Sequence, residues 1–208
     1  MNTKCNVLTT ILISSLLVLC SCSGGKKDSK INPTVEELDE VVDEAELVVL
    51  QEVDGDSVIV RLCNNELEHP KAYSYSEAEA EDQIKGTLTE GDTLSIFPDS
   101  KGKKVKICIN VSELRGKWYY DMQQHRGMAF ETTGGLSSIN TDRISFREWK
   151  LLNGKLFLYY VDMQQEASSK QEYEVEEAEI LTLSAEELQL NFLDSLYTCK
   201  RQHGLIML

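Results

Sequence analysis

No apolar run in this 208-residue chain is long enough to cross a bilayer as a helix. The longest, Val7 to Leu19, has 13 residues, whereas a helix rising about 1.5 Å per residue needs about 20 to traverse a hydrocarbon core of roughly 30 Å. Positive charge is scarce as well: 21 Lys and Arg stand against 35 Asp and Glu, a net charge of −14. Such an excess repels phosphate backbones, which proteins hold with clustered Lys and Arg, so nucleic acid is excluded as a partner. It equally disfavours flat attachment to anionic lipid. Catalytic signatures are missing too. There is no GxxxxGK, GxGxxG or GxSxG, and His69, His125 and His203 have no second ligand at the spacing of zinc helices. His125 lies four residues after Asp121, but no nucleophile accompanies the pair, and a surface loop histidine is the reading adopted. The chain reads as a non-enzyme with no cofactor and no metal.

What the amino terminus does contain is an address. Lys4, the apolar run and the small residues after it have the three-part layout of an export signal. Leu19-Cys20-Ser21-Cys22 resembles the lipobox of bacterial lipoproteins, with Leu three residues before Cys22 and small Ser21 directly before it. Cys20 fits less well, because bulky Leu19 precedes it. The resemblance implies that residues 1–21 are a signal peptide and that Cys22 is acylated. Each buried methylene adds about 0.8 kcal/mol, and two or more chains anchor stably. The expected location is the bacterial cell envelope, lipid-anchored, with the outer membrane as the expected site.

Residues 22–44 read as a tether and a short acidic helix. SGGKKDSK is a flexible linker by composition. Pro33, a Thr34 to Glu37 capping-box spacing and apolar Val35, Leu38, Val41 and Val42 predict a helix from Val35 to Glu44. Seven carboxylates lie between Glu36 and Glu46; they lack the ligand spacing of a calcium loop and read as a solvated face.

From Ala45 the period becomes alternating. Five β-rich runs between residues 45 and 111, separated by Asp54-Gly55, Glu90-Gly91 and Lys101-Gly102, predict a small β-barrel or sandwich, with OB and SH3 types both compatible. In the last run Val105, Ile107, Ile109 and Val111 share one face, the pattern of a half-buried strand. Residues 112–208 hold seven further candidate strands, with Asn153-Gly154 as a hairpin signal. The apolar phase slips between Val175 and Ile180, which predicts a bulge near Glu176 to Ala178. The fold class is all-β, a small N-terminal barrel or sandwich followed by an antiparallel meander barrel.

Gly116-Lys117-Trp118, the GGLSSIN turn at Gly134 to Asn140, the second tryptophan in FREWKLLNGKLFLYY and the closing ILTLSAEELQLNFLDSLYTCKR resemble the lipocalin-like domains of bacterial surface lipoproteins. The likeness covers about half the chain. It implies that Trp118 packs at the closed end of the barrel under Arg201, a cation over an aromatic face. It also implies a small apolar or amphipathic ligand, for which Tyr120, Phe130, Phe146, Trp149 and Tyr159 are the candidate lining. Adjacent tyrosines on a strand point to opposite faces, so only one of Tyr119/Tyr120 and one of Tyr159/Tyr160 looks inward. The alternative is an interaction module with filled cores, contacting a protein or glycan through outer faces and loops. Cys63, Cys108 and Cys199 allow at most one internal disulfide; Cys63–Cys108 is open if their strands are neighbours, and buried free thiols are the default.

Overall fold

The computed structural model describes residues 33–64, 69–141, 143–164 and 173–202. The signal segment, Cys22, the tether and His203 lie outside the described residues. The described chain opens with helix α1 (Val35–Asp39) and strands β1 (Glu46–Asp54), β2 (Ser57–Leu62) and β3 (Lys71–Ser74). Helix α2 (Ser76–Ala80) leads to β4 (Ile84–Lys85), β5 (Thr93–Pro98) and β6 (Val105–Asn110). These six strands form one mixed sheet in the order β3-β2-β1-β5-β6-β4, with β4 parallel to β6. A bridge between Ser74 and Lys104 draws outer strand β3 back toward β6. The core of this sheet is built from Val48, Leu50, Val58, Val60, Tyr73, Leu94, Ile96, Val105 and Cys108. Alternation does not disclose β3, because Tyr73 is the one buried residue of its four.

Helix α1 is shorter than its apolar spacing suggests. The capping box forms, with the Thr34 N–H donating to Glu37 Oε2 at 2.7 Å and the Glu37 N–H to Thr34 Oγ1 at 3.2 Å. Leu38 is buried against Phe157, Tyr159 and Val175, but Val41 and Val42 stay exposed. A second turn would have nothing to pack on, and tertiary packing is what holds short helices.

Strand β6 also departs from the half-buried expectation. Its ladder with β5 shifts at Pro98 and Val105, so Val105 faces the first core with Cys108. Ile107 and Ile109 turn to the barrel beyond, leaving both faces of the strand covered.

After α3 (Val111–Leu114) come β7 (Gly116–Asp121), β8 (Arg126–Phe130), β9 (Leu136–Ile139), β10 (Ile144–Leu152), β11 (Lys155–Asp162), β12 (Glu174–Leu183), β13 (Glu187–Phe192) and β14 (Ser195–Lys200). The order β10-β11-β12-β13-β14-β7-β8-β9 is an antiparallel, nearly closed eight-stranded barrel. Strand β9 is one more than the seven expected and falls within GGLSSIN, where Leu136 pairs with Phe130 and is buried. It makes the closing seam with β10. The Ser138 hydroxyl donates to the Ile144 carbonyl at 2.9 Å and accepts from the Phe146 N–H at 2.8 Å, and the Trp149 N–H reaches the Gly134 carbonyl at 2.9 Å. Side-chain bonds thus replace part of the ladder there, which is why alternation alone does not reveal a strand.

The expected bulge at Glu176 to Ala178 is absent: β11 and β12 pair in register from Glu174 to Ala178. The phase slip marks a change of face instead. Val175 packs outside under α1, whereas Ala178 and Ile180 point inward. The actual irregularity lies between Ile180 and Thr182, opposite β13. Asn153 and Gly154 have positive φ, 51° and 79°, and turn β10 into β11 as the Asn-Gly signal requires.

All three cysteines of the described chain are free. Cys63 follows β2 while Cys108 sits on β6, and β1 and β5 separate these strands, which rules out the bridge. Cys63 is exposed, in contrast to the buried thiols expected for all three.

Two tests follow from this packing. An ideal Cβ on Gly127 would lie 2.1 Å from the Trp118 carbonyl oxygen, so Gly127→Ala is expected to destabilise the protein by about 2–4 kcal/mol in urea unfolding. Gly55→Ala, which meets open space at φ +59°, should cost only about 1 kcal/mol. Burial pushes Cys108 and Cys199 from 9.0 up to about 12. The unfolded chain therefore releases these protons at lower pH than the folded chain does. This contribution is complete below pH 9 and is lost as pH rises from 9 toward 12, which unfolding curves across that range would show.

Candidate functional site

The antiparallel meander sorts its turns to two ends. Gly116 begins β7 beside α3, and at this end also lie the turns at residues 131–135, 153–154 and 184–186. The turns at 122–125 and 193–194, with residues 140, 141 and 143, lie at the other end.

The first end is shut. Arg201 places its guanidinium carbon 4.3 Å from the centroid of the Trp118 ring. Its Nη2 donates to the Glu113 carbonyl and, at 3.0 Å, to the Arg115 carbonyl, tying the chain end to α3. Trp118 is fully buried and its Nε1 donates to the Leu114 carbonyl at 2.8 Å. The glycine of the G-x-W triplet has a physical role: a Cβ at Gly116 would come within 2.9 Å of Arg201 Nη1. The pairing of Trp118 and Arg201 expected from the sequence is therefore present. The first sheet adds a second cover, with Ile107 packed 2.8 Å from where a Gly154 Cβ would stand and the Lys85 Nζ donating to the Leu181 carbonyl at 3.3 Å.

The second end is a mouth. Tyr120, Arg126, Thr141, Arg143, Ile144, Phe146 and Tyr197 line a recess of about 230 Å³. Its aromatic walls interlock: Tyr120 meets Tyr197 edge-on at 5.4 Å, and Phe192 touches Phe146, Tyr160 and Tyr197 at 5.8, 5.4 and 6.4 Å between centroids. Burial raises the phenols of both Tyr120 and Tyr197, with Arg126 and Arg143 respectively opposing it. Both hydroxyls remain neutral donors at neutral pH. Arg143 has no ion pair among the described residues. Below them Tyr160 donates to Glu174 Oε2 at 3.0 Å, and burial, then that carboxylate, push its phenol strongly up.

The five candidate lining residues separate. Tyr120 and Phe146 are at the mouth. Phe130 and Trp149 meet edge-on at 5.7 Å within the barrel core, and Trp149 belongs to the closed half, where its Nε1 donates to the Glu131 carbonyl at 3.2 Å. Tyr159 is a correction: it faces outward, packing with Leu38 and Phe157 while Lys150 sits 5.0 Å over its ring. Its neighbour Tyr160 is the inward member of the pair. Sequence reasoning missed Arg126, Arg143, Phe192 and Tyr197. Arg126 and Arg143 flank turns, where a charge reads as ordinary surface, whereas the inward phase of Phe192 in β13 was a usable signal.

His125 takes φ 50° in the β7–β8 turn and lies edge-on to Tyr119. Asp121 Oδ1 instead accepts the N–H groups of Gln123 and Gln124 at 3.0 Å each, the role of a turn residue.

Residues 110–200 match a family model described as lipocalin-like, so the chain contains a lipocalin-like domain there. Among solved structures, the barrel is similar to a lipocalin-like protein from Bacteroides thetaiotaomicron, at 23% identity and a TM-score of 0.36, covering 42% of this chain and 95% of that one. No curated protein matches the chain.

Removing the closing cation tests how much the shut end contributes. Arg201→Ala deletes the ring contact and leaves two carbonyls without that donor, and a loss of about 2–4 kcal/mol is expected in denaturant unfolding. Arg201→Lys should recover less than half, since an ammonium cannot reproduce the planar fork.

Proposed function

We propose that this chain is a lipid-anchored cell-envelope protein, held through acylated Cys22, whose barrel takes a small amphipathic ligand at its mouth. Export and anchoring rest on the apolar segment that ends in Ser21-Cys22. Lipocalin-like domains generally bind ligands rather than catalyse, which agrees with the missing catalytic motifs. The carrying observation is the juxtaposition, in one recess, of two arginines and two tyrosine hydroxyls above an aromatic floor. A carboxylate or similar anionic head would meet the cations and hydroxyls, and an apolar tail would lie on Phe146 and Tyr197. Charge-assisted bonds are the strong ones in such a setting. The recess is small, below the usual range of about 300–1,000 Å³ for ligand pockets, so the ligand's tail extends along the rim rather than to the barrel floor.

That rim gives the second reading its own support. Met122, Met163, Tyr173 and Leu196 are 43, 54, 56 and 62% exposed and all lie at the mouth end. With a filled interior, these side chains suit an interaction module that meets a protein or glycan at the same end. Aromatic and methionine side chains are enriched in such contacts.

Titration with laurate separates the readings. Under the ligand reading, Arg143→Met weakens laurate about tenfold, the loss of one charge-assisted bond, and Phe146→Ala weakens it further, while dodecanol binds more weakly than laurate to the unchanged protein. Laurate binding that is indifferent to both substitutions would contradict the mouth as the site and leave the interaction module.

A further inference from the structure

A second cavity, of about 310 Å³, lies where the first sheet meets the closed end of the barrel. We propose that this cleft is a separate ligand site for a small monocarboxylate with an apolar or aromatic body. The proposal does not depend on the mouth, since the two cavities share no residue.

The argument starts from Arg115. Its main chain is fixed on both sides: its N–H donates to the Val111 carbonyl at 3.1 Å, and its carbonyl accepts from Arg201 at 3.0 Å. Its side chain lines the cleft yet makes no hydrogen bond or ion pair among the described residues, and its Nε is buried without a partner. A buried Nε–H without an acceptor forfeits a hydrogen bond that an oxygen of a bound ligand can restore. Hydroxyl-bearing Ser95, Thr132 and Thr133 line the same cavity and offer further donors to an oxygen anion.

The rest of the lining selects the ligand's body and charge. Leu47, Leu151 and Trp149 contribute apolar surface. The Trp149 ring is held in place by its bond to the Glu131 carbonyl and its edge contact with Phe130. Asp43 is the one carboxylate in the lining; its Oδ1 accepts the N–H groups of Ala45 and Asn153 at 3.0 Å each. Its negative charge already offsets that of Arg115, so one carboxylate brings the cleft to a single net negative charge and a multiply charged phosphate further, which makes the monocarboxylate the less repelled of the two. The site is thus built for one carboxylate with a hydrophobic remainder.

Phenylacetate titrated calorimetrically into the purified full-length protein tests this. The expected result is saturable binding at the cleft, distinguished from any phenylacetate taken by the mouth through the Arg143→Met protein, with the neutral phenylacetamide and inorganic phosphate each binding there at least about tenfold more weakly, the loss of one charged hydrogen-bonding pair. Arg115→Met should weaken phenylacetate at least tenfold, and Ala45→Leu, which fills the cleft while keeping the arginine, should do the same; Arg143→Met should leave it unchanged. Far-ultraviolet circular dichroism checks that each variant is folded, and the two cleft variants guard against either one failing alone. Absence of binding up to about 10 mM phenylacetate, or binding that survives both cleft substitutions, overturns the proposal. So does binding lost in Arg143→Met but retained in Arg115→Met, which assigns the ligand to the mouth. Failure of the mouth reading shows separately, as laurate affinity indifferent to Arg143→Met.

Discussion

The stacking of Arg201 on Trp118 organises the barrel. One planar cation joins the last strand, the first strand and α3 at a single point, because Arg201 reaches both the Trp118 ring and the carbonyls of Glu113 and Arg115. A nearly closed sheet still has a seam, and here that seam runs between β9 and β10 on side-chain bonds from Ser138. With the strand ends locked elsewhere, such a seam can stay closed without a full ladder. The closed end is then a solid surface, and the first sheet packs on it through Ile107 and Ile109. The recess lined by Tyr120, Arg143, Phe146 and Tyr197 lies at the opposite end.

That division also distributes polarity. The closed half is filled by Phe130, Leu136, Trp149, Leu156 and Leu158, so the cleft at that end lies against the first sheet rather than inside the barrel. Toward the mouth the filling becomes aromatic and amphipathic, with Tyr120, Tyr160 and Tyr197 presenting hydroxyls among rings. A chain with a net charge of −14 nevertheless gathers Arg126 and Arg143 at this recess. The carboxylates of Asp121, Asp162 and Glu174 stand near the same tyrosines, so an anionic group is favoured only where it reaches a guanidinium directly.

Much of the architecture was legible in the sequence because its strands obey period two and its turns carry their residues openly. Asn153-Gly154 and the Thr34–Glu37 box are local signals, and both appear as read. The Trp118–Arg201 contact was legible through family likeness alone, since 82 residues of chain separate the two and no periodicity links them. What was not legible depends on who covers a face. Phe157 and Tyr159 on β11 look as apolar as Leu158 and Tyr160, and only the arrival of α1 on the outer face makes both sides buried. The same holds for β6, whose outer side is covered by the barrel. The phase slip at Val175 misled for that reason, since two buried faces produce the apolar run that a bulge would. Arg126 and Arg143 could not be singled out because two turns, not neighbouring positions, bring them together.

The claim that the mouth is the point of ligand entry can be tested most directly by photocrosslinking. A fatty acid bearing a diazirine near its carboxyl end would be irradiated with the purified full-length protein and the adducts mapped by mass spectrometry. Adducts concentrated on Tyr120, Tyr197 and the residues around Arg143, and suppressed by excess laurate, are the predicted result. Adducts spread over the outer strands, or confined to the surface around Leu38 and Tyr159, would contradict it.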